Sequence, residues 1–276
     1  MITFVALWRR LVPLYDEPEA RAIVRLLLEK KYNMSLADIC VGKLEELPPS
    51  DAETLEQAMK RLQAGEPIQY VVGEEQFGSR SFLVTSHVLI PRPETLELCK
   101  WIEEEGQGRS TILDIGTGSG CIAITLALDM PDTKVTAWDI SAEALSVARQ
   151  NASRLHADVL FELVDVLGEK PEQCYDMIVS NPPYIAEHEA ATMQKNVVDW
   201  EPRQALFVSD NRPLLFYEAI ADYADKHLNA GGFLFFEINP LFSQQLMEML
   251  DKHGFKEVEL RTDQFGKSRM IKAVKA

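Results

Sequence analysis

Residues 176–187 read DMIVSNPPYIAE, a short apolar run that breaks into Asn181-Pro182-Pro183-Tyr184. Pro182 drives Asn181 out of the helical region and Pro183 does the same to Pro182, so the backbone of this turn has few alternatives. Its rigidity aims two oxygens, the side-chain carbonyl of Asn181 and the main-chain carbonyl of Pro182, at a common point, and neither proline has an N–H that would compete for them. Two converging acceptors suit a planar NH2 group, which has two protons to give. Such a nitrogen, in a carboxamide or an aromatic amine, is a poor nucleophile because its lone pair is delocalised. Holding both protons fixes its orientation and stabilises positive charge as it grows during attack on a sulfonium methyl. An N-alkylated amide cation is acidic enough to lose its proton to water, so Asn181 and Pro182 need no strong base beside them. Tyr184 is expected to stack on one face of the planar group. A Pro-Pro pair met alone would only end a strand, with the tyrosine filling core.

What precedes the turn favours the chemical reading. Asp114-Ile115-Gly116-Thr117-Gly118-Ser119-Gly120 lies between a strand pattern and a helix pattern, where ligands bind in open α/β sheets. Glycines there let the backbone approach a ligand and take positive φ. Asp139 ends the next strand pattern, where a carboxylate can accept both hydroxyls of a ribose. Together these predict a nucleoside-containing cofactor without choosing one, and the GxGxG spacing differs from the dinucleotide GxGxxG. The plain alternative is a tight turn, with Asp139 capping the helix near Ser141. Asp165, ending a third strand pattern, either accepts from an adenine amino group or is a solvated loop residue.

These residues need a scaffold, and 46% hydrophobic residues in 276 supply ample core for a main domain and a smaller one. Up to residue 73 the pattern is helical. Pro18 sits at a helix start, Ile23, Leu26, Leu27 and Tyr32 fall near one face, and Asp51 with Thr54 opens another helix through Leu55, Met59 and Leu62 to Gly65. Residues 74–95 alternate and read as a hairpin linker, ended by Pro91 and Pro93. From 96 to 276 strands alternate with helices, which predicts parallel strands with right-handed crossovers, and the last two strands have no helix between them, so one should run antiparallel.

Lys+Arg 28 against Asp+Glu 43 gives a net charge of -15, a poor balance for gripping a phosphate backbone. Cys40, Cys99, Cys121 and Cys174 include no CxxC pair, and the five histidines form no i, i+4 pair, so reduced thiols and no metal site are expected. No apolar stretch is long enough to span a bilayer. The run Ile2 to Trp8 is too short for a signal peptide, and Arg9-Arg10 follow it. A soluble, cytoplasmic, monomeric protein is the expectation.

The chain resembles the class I S-adenosylmethionine-dependent methyltransferases, and more closely the HemK family of protein-glutamine methyltransferases, over nearly its whole length. The resemblance rests on Gly65-Glu66-Pro67-Ile68-Gln69-Tyr70 with Gly73, on Phe77, Phe82, Val84 and the run VLIPRPET (88–95), then on LDIGTGSG, WDIS with ALSVARQNA, IVSNPPYI, and Glu201-Pro202 with Ala205-Leu206. It implies an α/β fold, a Rossmann-like seven-stranded sheet with a small N-terminal helical bundle (1–73) joined by a β-hairpin (74–95) to the catalytic domain (96–276). It implies that Gly116, Thr117, Gly118, Ser119, Gly120, Asp139, Asp165, Val166 and Asn181 contact S-adenosyl-L-methionine, and that Asn181, Pro182, Pro183 and Tyr184 hold the substrate. That substrate would be the glutamine of a Gly-Gly-Gln loop in peptide-chain release factors, docked with help from the helical domain. A ribosomal-protein glutamine, a nucleic-acid amine and a non-catalytic adaptor are the competing readings. The chain departs from the family pattern at SDNRPLLFYEAI (209–220), at Glu237-Ile238-Asn239-Pro240 and at Trp200, while Arg92 and Glu94 either line the site or bridge the domains.

Overall fold

The structure is a computed structural model that describes residues 2–276. It divides into two compact units, Met1–Glu74 with Gln194–Trp200, and Glu75–Met193 with Glu201–Ala276.

The first unit is helical. Its longest helix, Glu17–Tyr32, starts where the Asp16 side chain accepts from the Glu19 N–H at 2.9 Å and stops where Asn33 turns left-handed at φ 50°. Glu17 and Glu19 sit at its positive end and Lys30 and Lys31 at its negative end. The buried stripe is Ala20, Ile23, Val24, Leu27 and Leu28; the predicted face was rotated too far, since Leu26 and Tyr32 are only partly buried. The helix predicted from Asp51 begins at Pro49, because a proline in the first turn forfeits no hydrogen bond. Leu55, Met59 and Leu62 from it join Val24, Leu27, Leu28 and Leu11 in one apolar core.

A hairpin follows, β1 (Glu74–Phe77) and β2 (Arg80–Leu83). Phe77 and Phe82 meet edge to face at 5.8 Å and join the core of the sheet that follows. The expected hairpin thus ends at Leu83, well short of residue 95. Pro93, read as a strand terminator, instead begins the helix Pro93–Glu105, again because the first helical turn needs no N–H.

The remaining strands are β3 (Thr111–Ile115), β4 (Lys134–Asp139), β5 (Val159–Leu163), β6 (Tyr175–Ser180), the short β7 (Ile185–Ala186) and β8 (Phe207–Val208), then β9 (Leu228–Glu237), β10 (Lys256–Thr262) and β11 (Ser268–Val274). Seven form one sheet in the order β10-β11-β9-β6-β3-β4-β5, and β7 pairs with β8 apart from it. Only β11 runs against its neighbours, as the missing helix before it predicts. Successive residues send side chains to opposite faces: Leu113 and Ile178 enter one core, Ile112 and Met177 the other. Strand order reverses between β3 and β6, where Ile115 pairs with Ser180.

Gly120 closes the loop after β3 at φ 83°, and a Cβ built there would lie 2.8 Å from Ile124 Cδ1 and 3.2 Å from Ala148 Cβ. Gly120→Ala is expected to lose about 1–3 kcal/mol of stability from backbone strain and this contact. Urea unfolding of the variant beside wild type measures it, and an unchanged midpoint would mean that the junction has room.

Candidate active site

A cleft of about 240 Å³ opens at the carboxyl ends of β3, β4 and β6, wholly within the second unit. The structure brings Gly116, Thr117, Gly118, Ser119, Asp139, Asp165, Val166, Asn181, Pro182 and Pro183 together along its walls. Gly120 and Tyr184 do not line it.

The glycine loop is held from below and from the side. The N–H groups of Gly116 and Thr117 both donate to the Trp138 carbonyl at 2.9 Å, folding the loop over the end of β4. Asp139 accepts from the Gly118 N–H at 2.8 Å through one oxygen and from the Ser141 N–H at 2.9 Å through the other. Its carboxyl is raised above the usual range by burial, against those N–H groups. Ser141 itself caps the helix, accepting from Ala144 N at 3.1 Å, so Asp139 fixes the loop and borders the cleft at once. Asn151, fully buried, donates to the Ser119 carbonyl at 2.9 Å and to the Leu83 carbonyl at 3.0 Å. Sequence reading missed this residue, although it lies within the ALSVARQNA stretch.

The cleft suits a nucleoside-bearing cofactor. Gly116 (φ 75°) and Gly118 (φ 55°) would each point a Cβ into open space, with no heavy atom within 4 Å. They leave a cradle, whereas Gly120 serves packing. In the same cleft the exposed Ile140 and Leu167 and the partly buried Val166 supply apolar lining for a flat ring. Asp165 is exposed, and one carboxylate oxygen accepts from Leu167 N at 2.8 Å in its own turn.

The Asn-Pro-Pro-Tyr turn leaves β6 at Ser180, whose hydroxyl donates to the Ile115 carbonyl at 2.6 Å. Asn181 Nδ2 donates to Thr95 Oγ1 at 3.4 Å, and Thr95 Oγ1 donates to Glu237 Oε2 at 2.6 Å. Tyr184, expected to stack on the substrate, does not line the cleft. Its ring packs against the sheet core and its hydroxyl donates to Glu237 Oε1 at 3.2 Å, because the pairing of β7 with β8 turns the chain back immediately after the turn. Asn239 holds the same residue from the main chain, donating to the Tyr184 carbonyl at 3.1 Å. Glu237 is buried, and that burial raises its carboxyl above the usual range despite its donors and the nearby Arg269. Arg92 lines the cleft and pairs with the buried Glu201, whose other oxygen accepts from Ile90 N at 3.1 Å. The expectation for Arg92 thus resolves toward the site.

Two family models match the chain, described as PrmC N-terminal domain over residues 9–73 and Methyltransferase small domain over residues 95–202. The chain is 45% identical over 262 residues to a release factor glutamine methyltransferase of Bacteroides thetaiotaomicron, covering 94% of each chain. It is 41% identical over 271 residues to the protein of the same name from Flavobacterium psychrophilum, covering 95% of this chain and 94% of that one. Among solved structures it resembles the T. thermophilus 16S rRNA N2 G1207 methyltransferase in complex with AdoMet and guanosine, at TM-score 0.53 and 17% identity, over 74% of this chain and 50% of that one. That likeness is one of fold.

Beneath the loop Asp114 is fully buried, accepting from Thr117 Oγ1 at 2.6 Å and Ala123 N at 3.2 Å through one oxygen. The other oxygen has no partner among the described residues, and burial pushes the carboxyl up to about 7. Unfolded, the group titrates near ~3.9, so between these values folding takes up a proton and stability falls as pH rises. Asp114→Asn removes that dependence. Its stability relative to wild type should increase by about 1.4 kcal/mol per unit from pH 5 to pH 7. Chemical denaturation at pH 5, 6 and 7 checks this; parallel curves for the two proteins would contradict it.

Proposed function

The chain belongs to the release factor glutamine methyltransferase family, and from that membership we propose that it methylates the side-chain amide nitrogen of the Gly-Gly-Gln glutamine in peptide-chain release factors. S-adenosyl-L-methionine is the donor, and the enzyme works as a cytoplasmic monomer whose helical unit (1–73) helps dock the protein substrate to the catalytic domain. The observation that carries the reading is the placement of the glycine loop and the Asn-Pro-Pro-Tyr turn on adjacent strands at one cleft. A cofactor site and an amide site there share a wall.

When bound, S-adenosyl-L-methionine supplies an electrophilic methyl group. The residues to hold it are the loop from Gly116 to Ser119, Asp139 for the ribose, and Asp165 with Val166 around the base. Asn181 Oδ1 and the Pro182 carbonyl accept hydrogen bonds from the two N–H groups of the substrate NH2, which sets the nitrogen lone pair and stabilises the cation as it forms. Pro183 keeps Pro182 from rotating out of that geometry. The proton leaves to solvent, so no side chain is asked to act as a strong base. A chain carrying a net charge of -15 is better suited to a protein loop than to a nucleic-acid amine.

Transfer of labelled methyl from S-adenosylmethionine to a purified release factor tests the proposal, beside the same factor with its loop glutamine changed to alanine and beside bulk DNA and RNA. Label on the unaltered factor alone is expected, and label on nucleic acid instead would overturn the substrate. Asn181→Ala should retain cofactor binding and lose about 10²–10³-fold in kcat. Asp139→Ala should first raise the cofactor Kd, by about tenfold for the loss of charged hydrogen bonds, as read by calorimetry. Wild-type values in either variant would remove the residue from its role.

A further inference from the structure

We infer that Glu237, which reaches the cleft only through another side chain, sets which way round the Asn181 amide faces, acting through Thr95. The inference rests on the function proposed above for the Asn-Pro-Pro-Tyr turn and names a positioning pair for that reaction. Asn181 can serve a substrate NH2 only with its oxygen toward the cleft. Turned by half a rotation it would present its own NH2, two donors facing two donors. The prolines fix the backbone of the turn and leave this choice open, because an amide is nearly symmetric in shape.

The surrounding hydrogen bonds make the choice. Glu237 stands at the end of β9 with 2% of its surface exposed, and its two oxygens take protons from Thr95 and from Tyr184 at 2.6 and 3.2 Å. Both oxygens are placed as acceptors, as a carboxylate requires, and Thr95, Arg269 and Tyr184 work against the burial that raises this carboxyl above the usual range. Thr95, itself buried, has a single hydroxyl proton, and it is committed to Glu237. Toward Asn181 the hydroxyl can therefore only accept, which draws the Asn181 NH2 to it at 3.4 Å and leaves Oδ1 for a donor in the cleft. The direction of this chain, Asn181 to Thr95 to Glu237, originates in the one member that cannot donate. Tyr184 anchors the second oxygen of the carboxylate and so holds the same chain in place.

Thr95→Val keeps the shape and removes the relay, and Thr95→Ser keeps the hydroxyl. Glu237→Gln keeps the shape but puts a donor in one of the two positions. With selectively ¹⁵N-labelled asparagine, the side-chain protons of Asn181 should exchange with water about tenfold faster in Thr95→Val than in wild type, with Thr95→Ser restoring protection. In methyl transfer to a release factor, kcat should fall about tenfold in Thr95→Val, while KM and cofactor Kd stay within about twofold and Thr95→Ser recovers most of the loss. Glu237→Gln alone should lower kcat about fivefold, yet add nothing in the Thr95→Val background, the signature of a residue acting through Thr95. Additive losses, or an Asn181 amide that exchanges equally fast in wild type and Thr95→Val, would overturn the inference. Failure of wild type to label any release factor would overturn the function instead, while the exchange series, which needs no substrate, still decides the polarity.

Discussion

The pairing of β3 with β6 is the constraint on which the rest depends. These strands are neighbours although two other strands lie between them in the chain, and Ile115 opposite Ser180 puts their ends at one height. The Ser180 hydroxyl bonded to the Ile115 carbonyl ties the ends together at 2.6 Å. Because parallel strands leave the sheet on the same edge, the glycine loop and the Asn-Pro-Pro-Tyr turn emerge side by side. A shift of one residue in this register would turn the alternating side chains to the wrong faces and separate the loops.

Around that edge the loops are held by buried or half-buried polar groups. Asn151 grips the hairpin end and the glycine loop, Asp139 grips Gly118, Glu201 grips Ile90 and Arg92, and Glu237 grips Thr95 and Tyr184. Burying each of these costs free energy unless its partners are in place. Apolar packing alone would have left the loops with several arrangements of similar energy, whereas a satisfied polar network tolerates few. Asp114 is the member with an unmatched oxygen, and its raised pKa records the cost.

The family membership and the geometry bear on different questions. Identity of 45% across 94% of the chain places it among release factor glutamine methyltransferases. The placement of side chains gives physical roles to stretches that resemblance only labels. IPRPET contributes Arg92 to an ion pair with the buried Glu201 and Thr95 to a hydrogen-bond chain. The departure at Glu237-Ile238-Asn239-Pro240 proves to keep the glutamate and to use the asparagine, which holds Tyr184 and caps its own turn by accepting from Leu241 N at 3.0 Å.

Much was determined by local chemistry that needs no tertiary context. Consecutive prolines restrict the turn by their own rings, the glycines permit positive φ, and the alternation of strand and helix patterns dictates a parallel sheet whose loops share an edge. Gly116 to Gly120, Asp139, Asp165 and Asn181 could therefore be placed on one sheet edge from their order, whereas Val166 was named only through the family resemblance. Only the tertiary structure decided which way side chains face. Thr95 meets Asn181 and Glu237 across separations of 86 and 142 residues, and Arg92 meets Glu201 across 109. No periodicity reaches that far. Tyr184 turned to the core and Gly120 to a helix contact for the same reason, since a side chain's direction is settled by the neighbours that the fold brings to it.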